Sequence, residues 1–311
     1  MKLSVVICTY NPNPGIFNRV LESLRQQTLP KEEWELIIID NASTISLGNL
    51  FDLSWHPHHK IVQEKQPGLA YARLKGVKEA STELIVFIDD DNIADKEYLN
   101  ITYEFHKAHP NMGAFGGKSI PIFETTPPPW FAQVEISLGC RDLGNELCLS
   151  SYNAEVYTIK QYPSFAPIGT GMVITKVAFL SYDKNVNSNK TRLSLGRKGA
   201  VLTSGEDNDI ILTIIKEGFQ IAYVPQLIIH HFIPAKRYSL SYLKKMAYES
   251  NRSWIKVLSI HDICPWRPIA RWTYPFRIFK SYIKHKPWES EVNKIKFHSS
   301  KGILKGQSEI R

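Results

Sequence analysis

The chain has 311 residues, of which 43% are hydrophobic and 22% charged, so it has ample apolar material for a globular core and does not resemble disordered or collagen-like chains. Its four cysteines are scattered without C-x-x-C spacing, which excludes a disulfide framework and a zinc ribbon as interpretations. The net charge of +8 is unevenly distributed: residues 1–231 carry 21 Lys and Arg against 25 Asp and Glu, whereas residues 232–311 carry 17 against 5. The C-terminal quarter is therefore predicted to meet an anionic partner, either a membrane surface or nucleic acid.

Membrane insertion and secretion are not predicted. No run of about 18 uninterrupted apolar residues occurs, and the short apolar start at 5–8 lacks a small-residue cleavage site. We therefore expect a cytoplasmic protein, with the inner face of the cell membrane as the second expected location.

Apolar segments of strand length alternate with helical patterns through the first 110 residues, which predicts the βαβ units of a parallel sheet covered on both faces. The predicted strands are 3–10, 35–40, 60–64 and 83–88, and the predicted helices are 15–27, 70–80 and 95–109. Asn13 and Pro14 suit the N-cap and first position of the first helix.

The regular pattern weakens after this region. Residues 121–167 are rich in Pro, Gly and polar side chains, which predicts a long insertion or lid with few regular elements. A regular apolar pattern resumes at 169–174. The remaining predicted elements are an Asn/Lys-rich loop at 183–198, a helix at 205–216 and a strand pair at 220–224 and 227–231.

Three consecutive carboxylates, Asp89, Asp90 and Asp91, directly follow the buried run at 83–88. Such a cluster persists where a cation or a network of donors neutralises it, and a divalent metal is the simplest neutraliser. Asp89 and Asp91 are two apart on an extended segment, so they project to the same side and suit a hard cation such as Mg²⁺ or Mn²⁺. The alternative is a solvated acidic turn.

Further polar residues follow other predicted elements. Asp40 ends the second strand and could accept a hydrogen bond from a nucleobase imide. Glu206 and Asp207 start a helix, where they suit either catalysis or simple complementation of the helix dipole. His230 and His231 end the last strand, as a routine strand-end pair or as additional metal ligands.

These motifs together resemble the family 2 nucleotide-sugar glycosyltransferases with the GT-A fold. The resemblance covers roughly residues 1–235 and rests on strings that occur in the family's order and spacing. They are Val5-Val6-Ile7-Cys8-Thr9-Tyr10-Asn11, Ile39-Asp40-Asn41-Ala42-Ser43, Ala72-Arg73 with Gly76, Phe87-Ile88-Asp89-Asp90-Asp91, Gly205-Glu206-Asp207-Asn208-Asp209 and His231.

The resemblance implies an α/β GT-A fold with a Rossmann-like, mostly parallel central sheet flanked by helices. It implies a catalytic domain at 1–235, with a nucleotide-sugar half at about 1–118, the insertion at about 121–167 and an acceptor half at about 168–235. Residues 236–311 form a basic, mainly helical C-terminal extension.

The resemblance also implies roles for single residues. Those expected to bind the nucleotide sugar are Thr9, Tyr10, Asn11, Asp40, Arg73, Asp89 and Asp90, with Asp40 and Arg73 at the base and Asp89 at the ribose. Asp91 would bind the metal with His231, and His230 is a further candidate ligand. The acid pair Glu206-Asp207 is catalytic, with Asp207 as the base. Many family members have Asp and Gly where this chain has Asn41 and Ala42, and Asn where it has Leu74.

The implied activity is metal-dependent, inverting transfer of a sugar from a nucleotide diphosphate, with UDP favoured, to a hydroxyl of a glycan or lipid-linked acceptor in polysaccharide or glycolipid biosynthesis. Two alternatives stay open. A non-catalytic nucleotide-sugar-binding domain would be expected to have lost an acid, and none is missing. A sugar-phosphate nucleotidyltransferase would need a Gly-rich loop after the first strand, where Thr9-Tyr10-Asn11-Pro12-Asn13-Pro14-Gly15 stands instead.

The basic tail places apolar side chains at helical spacing, with cations interleaved. The residues are Trp272, Phe276, Phe279 and Ile283, with Arg277, Lys280 and Lys284. This pattern is typical of a helix on an anionic bilayer, and we expect peripheral contact through 265–311. A helix packed on the catalytic domain is the other interpretation. Nucleic-acid binding is not predicted, since no RNA-binding motif accompanies the aromatic residues.

Overall fold

A computed structural model of the chain describes residues 1–150, 161–186, 189–199 and 202–310, and within them nine strands form one sheet flanked by helices. The strands are β1 Leu3–Thr9, β2 Trp34–Asp40, β3 His59–Gln63, β4 Leu84–Asp89, β5 Asn92–Ala94, β6 Met112–Phe123, β7 Cys148–Leu149, β8 Val173–Thr175 and β9 Gln220–Ile233. The helices are α1 Pro14–Arg25, α2 Leu69–Glu79, α3 Tyr98–Ala108, α4 Lys176–Val186, α5 Lys190–Leu193, α6 Glu206–Lys216, α7 Leu240–Ile260, α8 Tyr274–His285 and α9 Glu291–Glu309.

The sheet is parallel in its N-terminal half, in the order β3, β2, β1, β4. Beyond β4 it is mixed: β8 pairs antiparallel with β4 and β6, β6 runs parallel to β9, and β5 and β7 pair antiparallel with β9. Thr9 lies opposite Asp40 in the register, and Cys8 lies opposite Asp89. The carboxyl ends of β1, β2 and β4 therefore meet at one edge, where open α/β sheets bind ligands.

The two faces of the sheet are covered by different helices because side chains alternate along each strand. Val5 and Ile7 of β1 belong to the same buried cluster as Phe17 of α1. Val6 belongs to the opposite cluster, and α2 approaches it closely at Gly76, where a Cβ would lie 2.4 Å from Val6 Cγ1. Gly76 thus permits the close packing that brings α2 to the site.

The start of α1 follows the predicted cap. The Asn13 Oδ1 accepts hydrogen bonds from the backbone N–H of Gly15 (3.0 Å) and Ile16 (3.2 Å), and Pro14 is the first helical residue. These bonds satisfy donors that a helix start otherwise leaves free. The prediction for this helix start is confirmed.

The predicted strand pair at 220–224 and 227–231 is wrong, because both segments belong to the single strand β9. They pair with successive parts of β6 rather than with each other, and residues 224–227 bulge out where the register shifts. Gly117 admits this bulge, since a Cβ there would lie only 2.0 Å from the Leu227 carbonyl oxygen. The structure also contains strand β5, which the sequence pattern did not predict, and this strand pairs with the end of β9.

Two predicted irregular regions are more ordered than expected. The insertion predicted at 121–167 begins with the last residues of β6, and its described part contains the short 3₁₀ helix Pro129–Gln133 and strand β7. The Asn/Lys-rich stretch at 183–198, predicted as a loop, contains the end of α4 and all of α5, which Asn189 caps. Residues 151–160 of the insertion and 187–188 of the Asn/Lys-rich stretch lie outside the described residues.

The C-terminal extension is helical, as predicted, and α9 packs along α7. Two glycines of α9 allow the close approach: a Cβ on Gly302 would lie 2.2 Å from Tyr248 O, and one on Gly306 would lie 2.7 Å from Ile255 Cβ. A buried cluster that includes Leu138, Met246 and Ile295 joins the insertion to α7 and α9. Through these contacts the extension forms one wall of the site.

Candidate active site

The main cavity opens at the carboxyl edge of the parallel strands and has a volume of about 460 Å³. It lies between the end of β4, the start of α6, residues 135–139 of the insertion and the side of α7. Six carboxylates and three arginines line it. The carboxylates are Asp89, Asp90, Asp91, Glu135, Glu206 and Asp207, and the arginines are Arg73, Arg197 and Arg237. A cavity this polar suits a charged ligand rather than an apolar one.

The three consecutive acids differ in their environments. Burial raises the pKa of Asp90 to about 7, and the neighbouring charge of Asp91 adds to this effect, although Thr9 Oγ1 donates a hydrogen bond to its carboxylate. Burial also raises the pKa of Asp89, only partly offset by Arg73. For Asp91, burial is outweighed by the hydrogen bond from His231 and the charge of Arg237, so its pKa is lowered. Asp91 is thus the acid best stabilised as a carboxylate.

Asp91 forms a compact cluster with two residues that follow it far along the chain. Its Oδ1 lies 3.4 Å from His231 Nε2, and its Oδ2 lies 3.1 Å from Arg237 Nη1. The same Arg237 nitrogen is 3.1 Å from His231 Nε2. Burial lowers the pKa of His231, but hydrogen bonds with Asp91 and Cys140 outweigh it and raise the pKa to about 9.

Strand pairing and neighbouring side chains hold the cluster in place. Asn92, next to Asp91, pairs with His231 across the β5–β9 ladder, and its Nδ2 donates to Asp91 Oδ1 at 3.1 Å. Cys140 of the insertion places its Sγ 3.6 Å from His231 Nδ1. The insertion therefore contacts the imidazole directly.

The acid pair at the start of α6 also lines the cavity. Glu206 is 3% exposed and lies 3.6 Å from the equally buried Arg73. Burial raises the pKa of Glu206 to about 7, despite the attraction of Arg73. Asp207 Oδ2 accepts a hydrogen bond from Gly169 N at 3.0 Å, which fixes the carboxylate at the cavity wall.

Helix α6 is anchored by a buried ion cluster in the same first turn as the acid pair. Asp209 is fully buried and accepts from Arg192 Nε at 2.9 Å and from His261 Nε2 at 2.7 Å. Arg192 belongs to α5, and His261 follows directly after α7. The cluster therefore ties three segments together and fixes the orientation of the helix start that carries Glu206 and Asp207.

The residues predicted to bind the nucleotide divide into two groups. Arg73, Asp89 and Asp90 line the cavity, whereas Tyr10, Asn11 and Asp40 do not; Thr9 reaches it through its bond to Asp90. The second group lies at the ends of β1 and β2, next to the cavity edge. There Asp40 Oδ1 accepts from Ser43 N at 3.0 Å, and Asn11 adopts a left-handed backbone with φ of 47°. Tyr10 is 55% exposed and free to contact a ligand.

His230 does not join the cluster at Asp91. Adjacent side chains of a strand point to opposite faces, so His231 lines the cavity and His230 is directed away from it. The candidate role of His230 as a metal ligand stays a prediction that its position outside the cavity lining does not favour. Arg237, Arg197 and the side of α7 are the main features of the cavity that the sequence analysis missed.

Two candidate metal ligands meet at Asp91, which would leave the remaining positions of an ion to water and substrate. In the part of the chain that the structure describes, no group of three or more His, Cys, Asp or Glu side chains is arranged to hold an ion. Asp91 Oδ1 and His231 Nε2, 3.4 Å apart, would offer one oxygen and one nitrogen ligand once the imidazole has released its Nε2 proton. Mg²⁺ and its analogues are commonly held by one or two protein ligands plus water and phosphate oxygens, so two ligands suffice. Arg237 would have to move aside.

Comparisons with known proteins were made for sequence and for structure. Residues 4–156 match the family model described as glycosyl transferase family 2. Over 151 residues the chain is 26% identical to a glucosyl-dolichyl phosphate glucuronosyltransferase of Haloferax volcanii, a match that covers 46% of this chain and 47% of that protein. It is 29% identical over 140 residues to a poly(ribitol-phosphate) beta-glucosyltransferase of Bacillus spizizenii, covering 41% of this chain and 22% of that protein. The chain thus spans about half, or less, of the length of these curated relatives.

Among solved structures, TarS residues 1–349 of S. aureus in complex with UDP has a TM-score of 0.53 and 15% identity, covering 99% of this chain and 90% of that chain. GalNAc-T7 with UDP, GalNAc and Mn²⁺ has a TM-score of 0.57 and 15% identity, covering all of this chain and 56% of that chain. At this identity the likeness concerns the fold alone. The expected fold class, a GT-A sheet flanked by helices with a helical C-terminal region, is confirmed.

Proposed function

Through residues 4–156 the chain belongs to glycosyl transferase family 2, and we propose that it transfers a sugar from a nucleotide diphosphate to an acceptor hydroxyl, with inversion at the anomeric carbon. The observation that carries the proposal is the cavity itself, which is lined both by Asp91 with its two cationic neighbours and by the acid pair Glu206-Asp207. The first group suits a leaving diphosphate, and the second suits activation of a nucleophile.

The donor is proposed to be a UDP-sugar. In support, the structurally similar TarS was solved with UDP and with UDP-GlcNAc. Thr9, Tyr10, Asn11 and Asp40 at the ends of β1 and β2 are proposed to contact the nucleoside, and Asp89 and Asp90 the ribose and diphosphate. Arg73 pairs with Glu206 inside the cavity. We therefore place Arg73 nearer to the transferred sugar than to the nucleobase.

A divalent ion, Mn²⁺ or Mg²⁺, is proposed to bind Asp91 and His231, and GalNAc-T7, similar in fold, was solved with Mn²⁺. When bound, the ion offsets the negative charge that develops on the departing diphosphate. The protein's own share of that task falls to Arg237 and Arg197, whose side chains line the same part of the cavity.

Asp207 is proposed as the general base. The backbone N–H of Gly169 donates to Asp207 Oδ2 and that of Asn208 donates to Asp207 Oδ1, both at 3.0 Å. These bonds fix the direction of the carboxylate. The acceptor hydroxyl would give up its proton to Asp207 while its oxygen attacks the anomeric carbon and the nucleoside diphosphate leaves. Such base assistance contributes about 10² to 10⁴ in rate.

The acceptor is proposed to be a glycan or a lipid-linked glycan in polysaccharide or glycolipid assembly, in keeping with relatives named for dolichyl phosphate and poly(ribitol-phosphate). Peripheral contact of residues 265–311 with an anionic membrane, at its cytoplasmic face, is part of this proposal. The structure and the comparisons give no observation that favours a nucleotidyltransferase.

A panel of nucleotide sugars tests the proposal directly. Purified protein is incubated with each sugar nucleotide and Mn²⁺, and released nucleoside diphosphate is measured against a no-metal control. We expect release from one or a few UDP-sugars, lost on chelation. Tight UDP binding without release from any donor, with or without candidate glycan acceptors, would instead favour the non-catalytic binding domain. Release of pyrophosphate from UTP and a sugar phosphate would indicate nucleotidyl transfer.

A further inference from the structure

Helix α8 presents an apolar face to solvent. Four large side chains on and just before it are more than half exposed, and two neighbours add to the same surface. The fractions are 75% for Trp272, 71% for Phe276, 68% for Phe279 and 52% for Ile283, with 42% for Tyr282 and 55% for Trp288. Contiguous exposure of this kind marks an interaction surface, since scattered single residues are the normal case.

The opposite face of α8 packs against α9. Ser281 is the buried residue of this helix, and its Oγ bonds Ser300 Oγ of α9 at 2.8 Å. Tyr282, at the border between the two faces, contacts the ring of Phe297 of α9 edge-on, with the ring centroids 5.4 Å apart. Because α8 is already held on α9 by this side, the exposed apolar face is not the face that seats the helix on the protein. The interpretation that the aromatic residues pack on the catalytic domain is therefore wrong for Phe276 and Phe279.

Cations flank the apolar face. Arg277, Lys280 and Lys284 follow one another at helical spacing on the adjacent stripe, all are exposed, and none forms an ion pair with a carboxylate within the described residues. A helix with Trp, Phe and Ile on one side and Lys and Arg beside them is built to lie in the interfacial plane of an anionic bilayer. If the same face of a second copy docked here, the cations of the two copies would come together and repel each other.

We propose that α8 is a membrane-docking helix: its apolar face, formed by Trp272, Phe276, Phe279 and Ile283, inserts among the acyl chains of an anionic bilayer while its cations meet the headgroups. The 12 residues of α8 extend about 18 Å in the plane of the membrane. No helix among the described residues is long and apolar enough to cross a bilayer. Docking by α8 supplies a surface attachment that does not require crossing.

The docked helix is coupled to the active site by packing. α8 rests on α9, and α9 packs against α7 at Gly302 and through the 2.9 Å bond between Ser299 Oγ and Asn251 Nδ2. Asn251 and Met246 of α7 line the cavity. The bilayer therefore lies on the α7 side of the cavity, which favours an acceptor presented by a lipid. This consequence rests on the sugar transfer in the proposed function, whereas docking itself does not depend on that reaction.

The test is co-sedimentation of the full chain with phosphatidylcholine vesicles, with and without 30% phosphatidylglycerol. The wild type should bind the anionic vesicles only, and 0.5 M salt should weaken binding because screening shortens the reach of the cations. Phe276→Ser with Phe279→Ser should lower the partition coefficient at least tenfold. The matched control is Val177→Ser with Leu180→Ser on α4, which are also exposed apolar residues, and it should bind like the wild type.

Several outcomes would overturn the proposal: a wild type that ignores anionic vesicles, an aromatic variant that binds as well as the wild type, or a control variant that loses binding to the same extent. Loss of concentration-dependent self-association in the aromatic variant, without vesicle binding by the wild type, would assign the face to a second copy instead. Donor hydrolysis is measured in parallel. Docking with no turnover by the wild type would contradict the proposed function and leave the docking intact.

Discussion

Replacing Glu206 by Gln tests how the buried charge at the site is balanced. Both carboxylate oxygens of Glu206 lack a hydrogen-bond partner among the described residues, and the nearest guanidinium, that of Arg73, is 3.6 Å away. Burial outweighs this attraction and raises the pKa of Glu206 from 4.5 to about 7. The folded protein therefore holds the proton of Glu206 more tightly than the unfolded chain does.

The sign and size of the effect on stability follow from this difference. The stability that the protonated group contributes is fully present below pH 4.5 and is lost as the pH rises through 7. Between pH 5 and pH 8 the wild type should lose on the order of 2–3 kcal/mol of unfolding free energy through this one group. Glu206→Gln carries no ionisable group there, so it should escape that loss.

The assay is urea unfolding of both proteins at pH 5 and pH 8, followed by circular dichroism. The difference between the two pH values is compared for wild type and variant, so that titration of other groups cancels. Glu217→Gln, an exposed acid at the other end of α6, is the control and should respond to pH like the wild type. An identical pH response in wild type and Glu206→Gln would refute the reasoning.

Three further predictions concern the metal, the diphosphate and the helix packing. Asp91→Ala should remove the Mn²⁺ dependence of UDP affinity in calorimetry, and a wild type that binds UDP equally well with and without metal would contradict the role of Asp91. Arg237→Met should weaken UDP binding about tenfold or more, since a charge-assisted hydrogen bond contributes about 1.5–3 kcal/mol, whereas exposed Lys236→Met should not. Gly302→Ala should lower the unfolding free energy by about 1–3 kcal/mol in urea titrations, because its Cβ would meet a backbone oxygen of α7 at 2.2 Å, while Gly48→Ala, with open space around it, should change little.

The parts of the fold that the sequence predicts are those encoded by short-range patterns. Strand β4 is a continuous apolar run that ends in acids, and α1 begins at an Asn-Pro cap. The carboxyl-edge location of Asp89 and Asp91 follows from the parallel connection of successive strands. These features depend on interactions within a few residues and on the rule that successive parallel strands end at the same edge of the sheet.

Long-range pairing accounts for most of what the sequence could not reveal. Nothing near Pro225 distinguishes a turn from a bulge, because the choice is made by β6, more than 100 residues earlier, at Gly117. Likewise, Arg237 looks like one basic residue among many in the tail until β9 and β5 bring it to 3.1 Å from Asp91. The pairing of Arg73 with Glu206 joins α2 to α6 and leaves no local trace.

Exposure was equally beyond the reach of the sequence. The spacing of Phe276, Phe279 and Ile283 fits an apolar face in contact with lipid or with protein. The structure distinguishes the two by placing Ser281 against α9 and leaving Phe276 71% exposed.

The most direct test of the central claim is the turnover of Asp207→Asn with the donor that the wild type uses. We predict that kcat falls by about 10² or more while the dissociation constant for UDP, measured by calorimetry with Mn²⁺, stays that of the wild type, because the ion cluster at Asp209 still fixes the start of α6 and the amide cannot accept the proton. Near-normal turnover in Asp207→Asn, with Glu206→Gln inactive instead, would contradict the assignment of the base and with it the proposed mechanism.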